Sequence, residues 1–236
     1  MKKLHVLTLL FILMITLAGC EKGAITNDAT ADVFVKSILN TDGTLKGYAV
    51  AHSVFSYNQV SGVSVKGPDS KTTQLTDPDG TGNSFYNVLA DTDYATTLPS
   101  TAIGTYSYTV TFKDGTQTTY TNTLSSTTIL PAKITGLAKN VSGDSIYISW
   151  NAIANTSAYQ LKILNGTTQV YYQSAFADNS SPLKASLRLA FPLSSFLAIG
   201  PGTYTFELDG LVFETSANDF LQAVSVSTKD IVVTSL

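Results

Sequence analysis

The sequence predicts an all-β protein: two β-sandwiches in tandem behind an export segment. Three observations predict it. Beyond residue 20 the chain is rich in Thr, Ser, Val, Ile and Tyr, which suit a half-buried pleated surface, and it lacks long runs of the helix formers Ala, Leu, Glu and Lys. Short alternating stretches follow one another, each bounded by turn residues. One segment also recurs. Ala102-Ile103-Gly104-Thr105-Tyr106-Ser107-Tyr108 returns as Ala198-Ile199-Gly200-Pro201-Gly202-Thr203-Tyr204-Thr205-Phe206, setting Tyr106 and Tyr204 98 residues apart, about one sandwich domain of ~100 residues.

The chain begins with a basic head, Met1-Lys2-Lys3, then an apolar run from Leu4 to Thr16, then Leu17-Ala18-Gly19-Cys20. Residues 1–19 therefore read as a secretory signal peptide. The apolar run is shorter than the ~20 residues that span a bilayer. Glu21-Lys22-Gly23-Ala24 carries no stop-transfer pattern, and residues 20–28 read as a tether. The Leu-Ala-Gly-Cys tail resembles the lipobox of bacterial lipoproteins. That resemblance implies diacylglyceryl transfer to Cys20, cleavage before it, and acylation of the new amino terminus. Lipid contributes about 0.8 kcal/mol per buried methylene, so one chain holds marginally and two or more hold stably. Cys20 is thus the expected lipid-attachment residue, with a membrane as its partner. By resemblance to enteric lipoproteins, aspartate after the lipidated cysteine would imply retention in the inner membrane. Glu21 stands there instead, which implies the outer membrane, on its periplasmic or surface face.

Composition excludes several functions. Of 236 residues, 217 remain once the first 19 are removed, enough for one large or two ordinary domains. The net charge is −3 with 13% charged residues, so no basic stripe for nucleic acid is expected. Cys20 is the one cysteine, which leaves no intramolecular disulfide and no thiolate metal cage. The histidines are His5 and His52, and His5 lies in the export segment, so a multi-histidine metal site is excluded. No cofactor is expected.

The elements follow in order. Asp32–Leu39 alternates, with Val33, Val35 and Leu39 on one side, and ends at the turn Asn40-Thr41-Asp42-Gly43. Gly47–Ser56 and Gly62–Lys66 come next, the latter closed by Gly67-Pro68-Asp69-Ser70. Thr72–Thr76 runs into Asp77-Pro78-Asp79-Gly80, and Ser84–Leu89 follows. Thr105–Phe112 sets Tyr106, Tyr108, Val110 and Phe112 on one face, and Lys113-Asp114-Gly115 joins it to Thr116–Leu124 as a hairpin. Ser125 to Thr128 leads to Pro131, and the domain boundary is expected near 130, giving domains 29–130 and 131–236. Beyond it come Ile134–Ala138, Ser145–Asn151 with Ile146, Ile148 and Trp150 on one face, and Ala158–Leu164 with Tyr159, Leu161 and Ile163 on one face. Asn165-Gly166 makes a tight hairpin to Thr167–Tyr172. Ala185–Leu189, a helical turn over Leu193–Leu197, Thr203–Leu208 and Leu221–Val233 complete the set. Asp209–Phe220 is expected as a long connection.

Residues 132–236 resemble a fibronectin type III domain. The carriers are Ile146-Tyr147-Ile148-Ser149-Trp150, Ala158-Tyr159-Gln160-Leu161-Lys162-Ile163 and Gly202-Thr203-Tyr204-Thr205-Phe206. Residues 29–128 resemble a divergent immunoglobulin-like domain. The Gly-Thr-Tyr string looks like the strand entry where a tyrosine hydrogen-bonds back across a corner. Tyr108 and Phe206 would then fill core positions. The chain as a whole is similar to the small surface lipoproteins of Bacteroidota that carry such domains in tandem.

Four constellations invite chemistry. Asp77-Pro78-Asp79-Gly80-Thr81-Gly82-Asn83 spaces its oxygens like a calcium loop, with Asp91 and Asp93 nearby, but the twelfth position is Val88 and plain turn chemistry explains the same residues. His52 is either a general base or a histidine on a strand face near the core. Of Tyr171 and Tyr172, one is expected to be exposed, as a sugar-stacking ring or an ordinary surface residue. Glu207 and Glu214 are the acids a hydrolase would need to converge.

The expected function is a non-catalytic cell-envelope lipoprotein whose sandwiches bind a glycan or an envelope protein. The alternatives are a structural scaffold subunit and a hydrolase. Metal and catalytic residues are not expected.

Overall fold

The computed structural model describes residues 27–139, 145–176, 187–192, 201–214 and 217–233. The expected export segment, Cys20 and the turn expected over Leu193–Leu197 lie outside the described residues. The first half forms β1 (Thr30–Leu39), β2 (Leu45–Phe55), β3 (Val60–Lys66), β4 (Thr72–Gln74), β5 (Ser84–Tyr86), β6 (Gly104–Phe112) and β7 (Gln117–Leu124). The second forms β8 (Ile134–Lys139), β9 (Ser145–Trp150), β10 (Ala158–Asn165), β11 (Thr168–Phe176), β12 (Leu187–Pro192), β13 (Gly202–Glu214) and β14 (Ala217–Val233). Among the described residues, helix is confined to single 3-10 turns at Asp91–Asp93 and Ser100–Ala102. The fold is all-β, as the strand-forming composition requires.

Among the described residues, three sheets build it. A four-stranded sheet runs β4-β3-β6-β7, and a three-stranded sheet runs β12-β9-β8. The third has seven strands in the order β11-β10-β13-β14-β1-β2-β5, so it draws on both halves of the chain. Its seam is a parallel pairing of the first strand with the last, from Val35 beside Ala223 to Ile38 beside Val226.

Alternation decides which residues meet. Val33 and Val35 of β1 share one buried cluster with Tyr108, Val110 and Phe112 of β6. Ile146, Ile148 and Trp150 of β9 face Leu161 and Ile163 of β10 and Phe206 of β13 within that same cluster. Trp150 meets the Tyr159 ring edge-on at 5.5 Å. Each fully buried aliphatic or aromatic side chain contributes about 1.5–3 kcal/mol. With no second cysteine in the chain, this apolar burial takes the place of disulfides. Tyr106 donates its hydroxyl to the Ala102 carbonyl at 2.7 Å, the corner bond of immunoglobulin-like sandwiches. Tyr108 and Phe206 occupy the core positions expected of them.

The connection between the halves, from Ser125 to Lys133, is seated on the seam. Ile129 and Ala132 are buried while Leu130 is 59% exposed. Ser37 of β1 donates its hydroxyl to the Ile129 carbonyl at 2.8 Å, and Ser227 of β14 donates to the Ala132 carbonyl.

Two local expectations are corrected. Strand takes up most of the connection expected over Asp209–Phe220: Asp209–Glu214 lies in β13 and Ala217–Phe220 in β14, and the two stay paired from Gly202 beside Val233 to Glu214 beside Ala217. The turn-like Asp209 is instead held by Lys162 across the sheet, and Gly210 sits where a Cβ would come 2.7 Å from both Ile153 Cδ1 and Ser225 Oγ. The strand expected over Ser84–Leu89 stops at Tyr86. There the Asn87 side chain replaces it, accepting the His52 N–H at 2.8 Å and donating to the Val50 carbonyl at 3.0 Å.

Candidate binding clefts on either side of β2

β5 covers only Ser53–Phe55 of β2. Farther along, Tyr48 exchanges backbone hydrogen bonds with Ala95 at 2.8 and 3.0 Å. Gly47 permits that contact, because its φ is +154° and a Cβ there would lie 2.5 Å from the Ala95 carbonyl oxygen. Between these two attachments the segment Asn87–Tyr94 stands off the sheet, with a cleft on each side.

The first cleft, of ≈460 Å³, opens between the sheets, and its lining includes Tyr48, His52, Asp69, Asn87, Thr101 and Tyr106. His52 lies on the inward face of β2, and its ring is 5.0 Å from that of Tyr106. Hydrogen-bond arithmetic sets its tautomer. The Tyr108 hydroxyl donates its one proton to the Asp32 carbonyl at 2.7 Å. It stands 2.9 Å from His52 Nδ1, so Nδ1–H must be the donor there. Nε2 is then the ring nitrogen that keeps a lone pair. Burial depresses the His52 pKa to about 4, so the ring is neutral at pH 7. Burial, and secondarily the Asp69 charge, pushes Tyr106 up to about 12 and keeps its hydroxyl protonated.

The hydroxyl at His52 Nδ1 is that of Tyr108, itself committed to the Asp32 carbonyl. The acid in the chain, Asp32, joins through its backbone carbonyl, while its carboxylate accepts from Leu221 N–H at 2.9 Å and Asn122 Nδ2 at 3.0 Å. Burial raises the Asp32 carboxyl to about 6; the Glu214 charge adds to this, and the hydrogen bonds from Leu221 and Asn122 oppose it.

The second cleft, of ≈470 Å³, lies on the outer face of the seven-stranded sheet, with Phe34, Leu211, Val224 and Val226 among its apolar lining. At its polar end Lys162 Nζ bridges Glu207 Oε1 at 2.6 Å and Asp209 Oδ2 at 2.8 Å. Burial works against the Lys162 charge, but Asp209 and Glu207 outweigh it and hold the ammonium well above its ordinary pKa.

The other sequence candidates fall elsewhere. Asp77 accepts from Gly80 N–H at 3.0 Å and Gly82 N–H at 2.8 Å, and Asp79 takes Thr81 N–H and Oγ1 at 3.0 and 2.8 Å. Asp91 pairs with Lys46, and Asp93 caps Ala90 N–H at 2.7 Å. Among the described residues no three His, Cys, Asp or Glu converge as metal ligands. Glu207 and Glu214 do not meet, since Glu214 accepts from Gln222 Nε2 at 3.2 Å. Tyr172 is 51% exposed, and Tyr171 packs against the core. Sequence reasoning missed Phe55 and Tyr57, an exposed T-shaped pair at 4.9 Å, with Tyr57 90% exposed. Their signal is an aromatic pair at a strand end, where no inward position needs filling. Asn87, which shapes both clefts, carries no sequence signal.

No protein-family model matches the chain, and no curated protein does. Among solved structures it is similar to the chicken CNTN1 FN1-FN3 domains, at 13% identity and TM-score 0.28, covering 86% of this chain and 66% of that one. It is similar also to the human OSCAR ligand-binding domain, at 8% identity and TM-score 0.27, covering 86% and 98%. A third is a 1.5-MDa bacterial ice-binding adhesin, at 13% identity and TM-score 0.26, covering 87% and 64%. The chain thus spans just under two thirds of the first and third of these. Likenesses this weak assign no activity or partner. The sandwich architecture rests on the chain's own strands and its tyrosine corner.

Proposed function

We propose that this is a non-catalytic cell-envelope protein, lipid-anchored through Cys20, that binds a saccharide in the cleft around His52. The observation that carries the reading is the neutral His52 ring, with Nδ1 committed to Tyr108 and Nε2 left to accept a hydrogen bond, in a cleft lined by tyrosine rings. A sugar presents hydroxyl donors at its rim and apolar C–H faces to aromatic rings. Asp69, Asn87 and Thr101 supply further polar partners in the same lining. A cleft of ≈460 Å³ suits a ligand of one or two sugar rings.

A glycan array probed with the chain from residue 21 tests the reading. The expected result is a set of hits lost in Tyr106→Ala. An array without hits, together with an envelope protein that co-purifies and is lost in Tyr57→Ala, would move the function to protein binding through the exposed Phe55–Tyr57 pair. The anchor is tested separately. Cys20→Ala should abolish incorporation of labelled palmitate and release the protein from the membrane fraction.

A further inference from the structure

We propose that the exposed aromatic end of β2 is a second membrane contact, which rests on a zwitterionic lipid surface beside the Cys20 anchor. The inference depends on the lipid anchor of the proposed function and is independent of the saccharide reading. Phe55 and Tyr57 form a T-shaped pair at 4.9 Å, and Tyr57 is 90% exposed. Tyr86 pairs with Ser53, which sets its ring on the same face of the sheet as Phe55, and it too is exposed. Three rings in water at one strand end form a patch, unlike the single exposed apolar residue that is ordinary on a surface.

The chain enters the fold at this same end. Ser56, between Phe55 and Tyr57, donates its hydroxyl to the Asp28 carbonyl at 2.6 Å. The Asn27 amide donates to Asp114 and Thr116 at 2.7 Å each, and Lys113 of that hairpin donates to the Gln59 side chain at 2.9 Å. Cys20 and Asn27 are seven residues apart, so an anchored Cys20 holds Asn27 within about 25 Å of the lipidated residue. The rings are thus tethered near the headgroups, and their insertion becomes an intramolecular step. Aromatic rings favour that interface, where the apolar body leaves water and a tyrosine hydroxyl stays wet. Charge selects the lipid. Asp28, Asp77, Asp79 and Asp114 surround the rings against Lys113, since Asn83 of the Asp77–Asn83 loop donates to the Ser56 carbonyl. An anionic surface would be repelled, and a zwitterionic one would not.

The test couples the chain from Cys20, through its one thiol, to a maleimide lipid in phosphatidylcholine vesicles. The anchor is then fixed chemically, and its failure in the cell is read separately by the palmitate label. Tyr57→Trp and Tyr172→Trp carry the reporter rings, both at exposed positions. Tyr172 stands in line with Lys162, Glu207 and Thr228, beyond the far end of β1, whereas Phe55 pairs with Thr30 at its start. Trp150 is buried and common to both proteins. Lipids brominated in the upper acyl chain should quench the Tyr57→Trp protein at least two-fold more than the Tyr172→Trp protein, and its emission should shift to the blue on coupling. Adding Phe55→Ser should remove at least half of that difference. Exchanging part of the phosphatidylcholine for phosphatidylglycerol should weaken the quenching at low salt, and added salt should restore it. Equal quenching at the two positions, no blue shift, or quenching indifferent to Phe55→Ser would overturn the proposal. So would a Tyr57→Trp ring that vesicles leave unquenched and an envelope protein alone shields, which would assign the rings to a protein partner.

Discussion

The Ser37 hydroxyl donates to the Ile129 carbonyl across 2.8 Å, 92 residues along the chain. With the matching bond from Ser227 to Ala132, it fastens the connection between the halves to the two strands that form the parallel seam. Removing either hydroxyl leaves a buried carbonyl without its donor. Ser37→Ala and Ser227→Ala should each cost about 1–3 kcal/mol, read as a lower urea midpoint with an unchanged far-UV spectrum.

With a shared sheet and a shared core, the halves should unfold as one unit. Trp150 is the chain's one tryptophan and lies in the second half. Val110→Ala removes two methyl groups from a fully buried site in the first half, at a cost of about 1–3 kcal/mol. The Trp150 fluorescence midpoint should fall with the far-UV midpoint. A Trp150 transition that stays in place would mean the halves unfold separately.

What was legible in the sequence is what local rules control. The alternation of Tyr106, Tyr108, Val110 and Phe112 places all four inside, and the hairpins at Lys113-Asp114-Gly115 and Asn165-Gly166 form where their turn residues stand. The parallel pairing of Val35 with Ala223 was not legible, because no turn joins such strands and nothing in either segment names its partner. Asp209 and Gly210 look like turn residues and are strand residues, since Lys162 and the close approach of Ile153 lie far away in sequence. For His52 the strand and its inward face were readable. Its partner Tyr108, 56 residues on, and the cleft shaped by Asn87 were not.

Two buried groups should oppose one another as pH changes. His52 titrates near 4 in the folded chain against 6.5 otherwise, so its contribution is present above pH 6.5 and is lost as pH falls towards 4. Asp32 titrates near 6 against 3.8, so its contribution is present below pH 3.8 and is lost as pH rises through 6. The slopes of these two groups cancel between about pH 4 and 6. Asp32→Asn should make stability rise with pH across that window, and His52→Phe should make it fall, both read as urea midpoints.

The Asp77–Asn83 loop should behave as a hydrogen-bonded turn. Asp77→Ala strips the acceptors of Gly80 and Gly82 and should cost about 1–2 kcal/mol. A chelator should leave the thermal midpoint unchanged. A fall of several degrees on chelation, restored by calcium, would instead make the loop a metal site.

The most direct test of the saccharide cleft is the ¹⁵N spectrum of the His52 imidazole, recorded on the chain from residue 21, where it is the one histidine. At pH 7 the account predicts a neutral ring protonated at Nδ1. Saturation with a saccharide identified on the array should shift Nε2 in the direction of hydrogen-bond acceptance while Nδ1 holds. A ring protonated at Nε2, or an Nε2 signal unmoved at saturation, would contradict it.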